Sequence, residues 1–339
     1  MDSFYAKAQA ELIEDVSMSL AAIFGSLDGP NHEAVKVRLV SALDHNQALH
    51  RSRTAFVNYF KNRIFAHDPQ VRAALNHLCL VAAMNEGIIN DIDNRLDGHE
   101  TDLFDSCFLE AYAPLIVQKA VQLFLEQARE LLTPKARLGD ELTWLIWERT
   151  FTFLNEINQI PLIEAKLVRG QIDCLDDDLQ ELIRLKAQQT TISVFIIFYP
   201  AVLMQKLDPR SYRHLFSFFE ALHVMEDLHK DLLDAEDDQQ SGRFNAWVLL
   251  RGDGYKRQVN VFVQRAQEIL RHLNLVAPQQ HPSLRDFLSA LQQRRLRLAR
   301  ILSLASHMGE TSMPLPRYRT HESGKMALAL GQQVAAYAA

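Results

Sequence analysis

The sequence predicts an all-α protein, and three observations support this. Only 12 Gly and 11 Pro occur in 339 residues, so residues that interrupt helices are sparse. Leu, Ala, Gln, Glu and Arg recur at helical spacing, whereas alternating β-branched runs are almost absent. We therefore expect a large helical bundle around a central cavity. We expect it to form one domain over residues 1–310, followed by a C-terminal tail over residues 311–339.

The predicted helices are separated by short glycine and proline steps. They cover residues 4–26, 32–66 (one or two helices), 69–95, 102–132, 139–169, 176–207, 210–238, 254–274 and 282–307. Glycine favours a helix end and proline cannot continue a helix, so these steps place the boundaries. The steps are Gly25, Asp28-Gly29-Pro30, His67-Asp68-Pro69, Asp97-Gly98, Thr133-Pro134, Gly170 and Asp208-Pro209. Pro200 lies inside a predicted helix, which it should kink or break.

Charge and hydropathy exclude several classes of function. A net charge of -6 gives no general affinity for nucleic acid or anionic membranes. The longest apolar run, residues 192–204, is interrupted by Ser193 and Pro200 and is too short to span a bilayer. Acidic residues near the start do not match a secretory signal, and 3 Cys suit a reduced compartment. We expect a cytoplasmic protein with no integral membrane segment and no nucleic-acid partner.

The densest acidic run lies within residues 221–243. Asp227 and Asp231 are four residues apart and Asp234 follows three residues later, so the three share one helical face. Like charges at this spacing destabilise a helix. A Mg²⁺ ion would compensate, because it binds one or two carboxylates and completes its shell with water and substrate phosphates. A solvated acidic face is the alternative, and this stretch alone leaves both interpretations open.

A second concentration of oxygen ligands lies between residues 86 and 97. Asp93 and Asp97 repeat the four-residue spacing. The oxygen-bearing side chains are Glu86, Asn90, Asp91, Asp93, Asn94 and Asp97. Alone, this segment is a polar helix end that Gly98 terminates. Two acidic helix faces that oppose each other across a bundle would instead hold several Mg²⁺ ions around a diphosphate.

Residues 164–245 carry a series of motifs in a familiar order. The motifs are Glu164 followed by Gly170-Gln171-Ile172-Asp173, Lys186 with Thr190-Thr191, the apolar run 192–204, Asp227-x-x-x-Asp231, and Gly242-Arg243. This order and spacing resemble the class I isoprenoid synthases, which comprise trans-prenyl diphosphate synthases, squalene/phytoene synthases and class I terpene cyclases. The resemblance covers about half of the chain, or most of it when the acidic segment near residue 90 is included.

The departures from the family pattern indicate which reaction to expect. Elongating members carry Asp-Asp-x-x-Asp where this chain has Asn90-Asp91-Ile92-Asp93-Asn94, and an amide ligand brings no charge. Three residues separate Lys186 from Thr190, whereas the family has Lys and Thr adjacent. The family's Arg-Arg-Gly and its basic motif near the N-terminus are missing, and His50-Arg51-Ser52-Arg53 is only a faint substitute. These differences favour a reaction with one substrate.

The resemblance implies Mg²⁺-dependent ionisation of an allylic isoprenyl diphosphate, ending in cyclisation or diphosphate elimination as in terpene synthases. The implied metal ligands are Asp227, Asp231 and Asp234 from one side and Asp93, Asp97, Asp91 and Asn90 from the other. The implied diphosphate ligands are Lys186, Arg243 and Arg317. The alternative interpretation of the residues around Arg317 is a surface segment of the C-terminal tail. The resemblance further implies a homodimer.

Two alternative functions stay open at this point. The first is a chain-elongating trans-prenyl diphosphate synthase. The second is a catalytically degenerate isoprenoid-binding or partner subunit, which the amides at positions 90 and 94 and the missing basic motifs would suit.

Overall fold

A computed structural model describes residues 2–25, 53–96, 112–131, 159–169, 181–186 and 191–250, with scattered helical positions outside these ranges. Its helices are α1 (Asp2–Gly25), α2 (Arg53–Ile64), α3 (Pro69–Leu96), α4 (Ala113–Leu131), α5 (Gln159–Arg169), α6 (Thr191–Leu203), α7 (Pro209–Ser241) and α8 (Ala246–Leu250). Residues 181–186 are also helical. No strand occurs in the described residues, so the all-α prediction is confirmed. None of the described helices is both long and apolar enough to cross a membrane.

The chain divides into two compact units. The first contains Met1–Phe151 and Thr190–Phe216, and the second contains Thr152–Gln189 and Ser217–Ala339. Helices α1 to α4, α6 and the start of α7 belong to the first unit. Helix α5, the helical segment 181–186, most of α7 and α8 belong to the second. The single domain over residues 1–310 stays a prediction.

Two Asp-Pro steps begin helices in the first unit. Asp68 Oδ1 accepts a hydrogen bond from the Val71 amide at 3.2 Å. Asp208 Oδ1 accepts one from the Arg210 amide at 2.8 Å. Each aspartate caps a helix whose first residue is the following proline, where the missing N–H carries no cost. These steps were predicted as breaks, and they are also helix starts.

Helix α6 ends earlier than its sequence predicts. It continues past Pro200 and stops at Leu203, whereas the periodicity predicts a helix that extends to residue 207. Gln205 adopts a left-handed backbone with φ of 57°, and the Lys206 amide donates back to the Ala201 carbonyl at 2.9 Å. This closing pattern usually uses glycine or asparagine. A glutamine there provides no signal in the sequence.

The core of the first unit forms where α3 packs against α1, α4 and α6, and α2 packs against α1 and α6. Its largest fully buried apolar side chains are Phe60, Phe124, Phe198, Leu12, Leu20, Ile23 and Leu75. Phe65 and Phe198 lie with ring centroids 6.4 Å apart. This packing places Phe198 of α6 in the core of the first unit.

A buried polar network joins α1, α2 and α3 inside this core. Lys61 is fully buried, with its Nζ 3.4 Å from Asp15 Oδ2. Asp15 also accepts hydrogen bonds from Asn58 at 2.9 Å and Asn76 at 2.8 Å, and Lys61 donates to Asn76. Burial raises the pKa of Cys79 to about 11, against the opposing charge of Lys61. The network therefore compensates the buried charges with several hydrogen bonds each.

The first turn of α2 is capped by a side chain from α3. The Arg53 amide donates to Glu86 Oε1 at 2.6 Å, and the Thr54 amide donates to Glu86 Oε2 at 2.8 Å. Thr54 also exchanges a buried hydrogen bond of 2.9 Å with Ser193 on α6. A carboxylate at a helix N-terminus satisfies amides that have no partner within the helix. Glu86, which the sequence groups with the acidic segment 86–97, thus joins two helices.

Lys61→Met should lower the free energy of unfolding by about 3–5 kcal/mol, because it leaves Asp15 buried without its cation. Urea denaturation followed by far-UV circular dichroism measures the change. The matched control is Asp15→Asn combined with Lys61→Met, which removes both charges and should be more stable than Lys61→Met alone. A double variant that is no more stable than the single one would contradict this account of the network.

Candidate functional site

The acidic face predicted around Asp227 lies on α7, which begins at Pro209 and ends at Ser241. The predicted helix 210–238 is therefore confirmed and slightly extended. The opposite face of α7 in the second unit is apolar and buried, and it comprises Phe218, Phe219, Leu222, Met225 and Leu228. Because these residues recur at helical spacing, they fix the rotation of the helix. That rotation leaves the Asp227 side chain about a fifth exposed, at 20%.

The chain reverses direction directly after α7. Gly242 has a φ of 71°, and the Arg243 amide donates to the Asp238 carbonyl at 2.9 Å. A left-handed residue followed by this bond is the usual glycine-based end of a helix. The reversal brings residues 243–248 back alongside α7.

Asn245 fastens the returning segment to α7. Its Nδ2 donates to the Asp231 carbonyl at 2.7 Å and to Asp238 Oδ2 at 2.8 Å. Its Oδ1 accepts from the Trp247 amide at 3.0 Å and caps the start of α8. The Trp247 indole donates to the Leu228 carbonyl at 2.7 Å. These bonds place the Ala246 amide against the Asp231 carboxylate.

Asp231 lies at the centre of the acidic face. Its Oδ2 accepts a hydrogen bond of 3.0 Å from the Ala246 amide. Burial, together with the charges of Asp227 and Asp238, raises the pKa of Asp231 to about 6, although Lys186 and the Ala246 amide act in the opposite direction. Ionised Asp231 is therefore a carboxylate whose charge the fold only partly compensates.

Lys186 supplies the positive charge next to these carboxylates. Its Nζ lies 2.9 Å from Glu164 Oε1 on α5 and 5.2 Å from the centroid of the Phe244 ring. Burial acts to lower the pKa of Lys186, but the charges of Glu164, Asp231 and Asp227 outweigh it and raise the pKa above its ordinary value. The ammonium thus stays charged at neutral pH and interacts with three carboxylates.

His223 is a neighbour of Asp227 that sequence reasoning overlooked. Its Nε2 lies 3.2 Å from Asp227 Oδ2, and its side chain is fully buried. The four-residue spacing from Asp227 was the available signal, because it places the two residues on one face of a helix. Asn245 had no comparable signal, since its contacts depend on the chain reversal at Gly242.

The other predicted ligands are less completely described. Arg243 lies at the end of α7, where its Nε is 3.4 Å from Asp238 Oδ1 and donates to Ser241 Oγ at 2.9 Å. Asp234 lies on α7 and is partly exposed. The backbones of Asn90, Asp91 and Asp93 belong to the last turns of α3. The side chains of those three residues, and all of Asp97 and Arg317, lie outside the described residues.

On α7, the carboxylates of Asp227 and Asp231 could supply two ligands of a Mg²⁺ ion, but not a complete coordination shell. Among the described residues, no three His, Cys, Asp or Glu side chains are close enough together to hold a metal ion. Asp227 and Asp231 provide two carboxylates one helical turn apart. Mg²⁺ commonly binds one or two carboxylates together with water and substrate phosphates. The pair therefore suits a divalent cation that binds together with a phosphorylated substrate.

Sequence comparisons assign no family to the chain. No protein-family model matches it, and no curated protein matches it at a significant level. The contacts among Glu164, Lys186, Asp227 and Asp231 are consequently the main basis for a functional proposal.

Metal-free stability should depend on the ionisation of Asp231. Its folded pKa of about 6 exceeds the ordinary value of 3.8, so the unfolded chain releases this proton at lower pH. The contribution of Asp231 to stability therefore falls as pH rises from about 4 to about 6. In EDTA, Asp231→Asn should gain about 1 kcal/mol relative to wild type across this window, after allowance for partial exposure.

Urea denaturation at several pH values measures this gain. Asp237→Asn is the matched control, because Asp237 is exposed on the same helix and should show no such trend. A wild type that gains stability relative to Asp231→Asn as pH rises through this window would contradict the account of Asp231.

Proposed function

We propose that this protein is an isoprenoid-synthase-like enzyme that ionises an allylic isoprenyl diphosphate in the presence of Mg²⁺. One observation carries the proposal. Lys186 contacts Glu164 at 2.9 Å, and its charge interacts with Asp227 and Asp231. These residues come from the three separate motifs whose order resembles class I isoprenoid synthases. Their meeting within one unit is what an active site composed of those motifs requires.

Asp227 and Asp231 are the proposed metal ligands. The Ala246 amide holds Oδ2 of Asp231, which orients the carboxylate, and Oδ1 would bind the cation. A Mg²⁺ ion bound here would neutralise negative charge that develops on the departing diphosphate. Asp234 and the acidic segment that includes Asp93 and Asp97 complete the proposed set of ligands.

Lys186 is the proposed diphosphate ligand. Its pKa is raised, so it stays an ammonium that donates charge-assisted hydrogen bonds to phosphate oxygens. Its side chain is 22% exposed and is therefore accessible to a ligand. Arg243 and Arg317 are the further basic residues of the proposal.

Water exclusion would decide the fate of the carbocation. We expect an apolar central cavity, in a single isoprenoid-synthase-like domain, to shield the cation until it cyclises or loses a proton. The Phe244 ring, which lies 5.2 Å from Lys186 Nζ, is an aromatic face next to the site that would attract a cation. A homodimer and a cytoplasmic location belong to the same proposal.

The N-terminus of α2 supports a reaction with one substrate. Helix N-termini bind anions through unpaired amides. At this helix, Glu86 already accepts hydrogen bonds from the amides of Arg53 and Thr54. The amides of Arg53 and Thr54 therefore have less capacity for the second diphosphate that chain elongation requires. We accordingly rank cyclisation or elimination above chain elongation.

The decisive assay incubates the protein with Mg²⁺ and geranyl, farnesyl or geranylgeranyl diphosphate, with and without isopentenyl diphosphate. A hydrocarbon or alcohol product that forms without isopentenyl diphosphate is the expected result. Longer diphosphates that form only with it would support chain elongation instead. Absence of every product, under conditions in which the protein is folded, would support the degenerate subunit.

The same assay identifies the metal ligands. Asp227→Asn and Asp231→Asn should each reduce turnover by orders of magnitude, because each removes a charge that holds the metal. Asp237→Asn removes an exposed carboxylate from the same helix and should retain most of the activity. Equal turnover in all three variants would contradict the assignment.

A further inference from the structure

We infer that Asn245 and the Ala246 amide restrict Asp231 to binding a cation through one carboxylate oxygen, and so favour Mg²⁺ over Ca²⁺ at this position. The inference rests on the proposed function, which makes Asp231 a metal ligand. It adds two positioning residues and a choice between cations, neither of which follows from the proposed set of ligands.

Both ends of the Asn245 side chain form hydrogen bonds. Its Nδ2 donates to the Asp231 carbonyl at 2.7 Å and to Asp238 Oδ2 at 2.8 Å. Its Oδ1 accepts from the amides of Trp247 at 3.0 Å and Val248 at 3.3 Å. Exchange of the oxygen and the nitrogen would bring donors against donors, so these partners fix the orientation of the amide group.

The segment that contains Asn245 is sheltered from water. Asn245 is 2% exposed and Ala246 is 3% exposed, and hydrogen bonds are electrostatically stronger away from water. The Trp247 indole provides a second attachment, because it donates to the Leu228 carbonyl at 2.7 Å. The residues on both sides of Ala246 are therefore bonded to α7, which fixes where the Ala246 amide lies.

The Ala246 amide in turn fixes the Asp231 carboxylate. Its N–H donates to Asp231 Oδ2 at 3.0 Å, so rotation of the carboxylate would break this hydrogen bond. Carboxylates that bind metals in proteins are commonly oriented by a hydrogen bond from a neighbouring group. The Asp231 carboxylate therefore suits a cation that needs one oxygen at a fixed position better than a cation that takes both oxygens.

Mg²⁺ and Ca²⁺ differ in this requirement. Mg²⁺ is the smaller ion and demands near-ideal octahedral geometry, whereas Ca²⁺ accepts carboxylates through one or both oxygens in a flexible shell. A carboxylate fixed by the Ala246 amide matches the requirement of Mg²⁺. A carboxylate that can rotate would match that of Ca²⁺. Loss of the hydrogen bond should therefore shift the balance of affinities toward Ca²⁺.

Ala246→Pro tests the amide directly, because proline lacks the N–H. Ala246 is the first residue of α8, a position at which helices tolerate proline. The probe is Mn²⁺, with free Mn²⁺ counted by electron paramagnetic resonance while Mg²⁺ or Ca²⁺ displaces it. We expect Ala246→Pro to lower Mg²⁺ affinity about tenfold and Ca²⁺ affinity much less, so that the ratio of Mg²⁺ to Ca²⁺ affinity falls. Ala246→Gly retains the N–H and should keep the wild-type ratio.

Asn245→Ser tests whether Asn245 acts through that amide. Serine still caps a helix, but it lacks the amide nitrogen that donates to the Asp231 carbonyl. It should lower the same ratio, and combining it with Ala246→Pro should cause no further fall. Asp237→Asn is the control for charge, because Asp237 is exposed on α7, and it should leave the ratio unchanged. Melting curves verify that each variant is folded.

Three outcomes would overturn the inference. If Ala246→Pro binds Mn²⁺ with the wild-type ratio, the amide does not decide between the two ions. If Asn245→Ser keeps the wild-type ratio, or lowers the ratio further when combined with Ala246→Pro, Asn245 does not act through the amide. Should Ala246→Pro not fold, the ratio of Asn245→Ser alone decides. If wild type binds no Mn²⁺ with or without inorganic diphosphate, the proposed function itself fails and this inference fails with it.

Discussion

The repulsion between Asp227 and Asp231 on one face of α7 is the constraint on which the candidate site depends. Burial and neighbouring acids raise the pKa of Asp231 to about 6, so its ionisation at neutral pH costs free energy. Two interactions reduce that cost: the hydrogen bond from the Ala246 amide to Asp231 and the charge of Lys186. The turn after α7 contributes the Ala246 amide. The ion pair between Lys186 and Glu164 on α5 contributes the positive charge.

The two units treat buried charge differently. In the first unit, Asp15 pairs with Lys61 and accepts hydrogen bonds from Asn58 and Asn76. The buried charges of this network are therefore compensated by its own members. Among the described residues of the second unit, the Lys186 ammonium interacts with the carboxylates of Glu164, Asp227 and Asp231, so these four groups together carry excess negative charge. A divalent cation at this position would compensate that charge. This contrast distinguishes the acidic face of α7 from the structural network of the first unit.

Local signals in the sequence predicted the all-α class, several helix boundaries and the geometry of the acidic face. Helix α7 and the shared face of Asp227 and Asp231 follow from spacing alone. The α-helical class follows from composition and periodicity, and Asp-Pro marks two helix boundaries. The end of α6 at Gln205 was missed because a left-handed glutamine has no sequence signature. The pairing of Lys186 with Glu164 and the cap by Asn245 could not be predicted, because each depends on chain segments brought together by folding.

The most direct test of the central claim is a melting curve with and without Mg²⁺ and inorganic diphosphate. A ligand stabilises the folded state in proportion to its affinity for that state. Wild type should therefore melt at a higher temperature when both are present. Asp227→Asn and Asp231→Asn should lose most of that increase while remaining folded. If wild type shows no increase, or both variants show the same increase, the two aspartates are not a metal site and the acidic face of α7 is simply solvated.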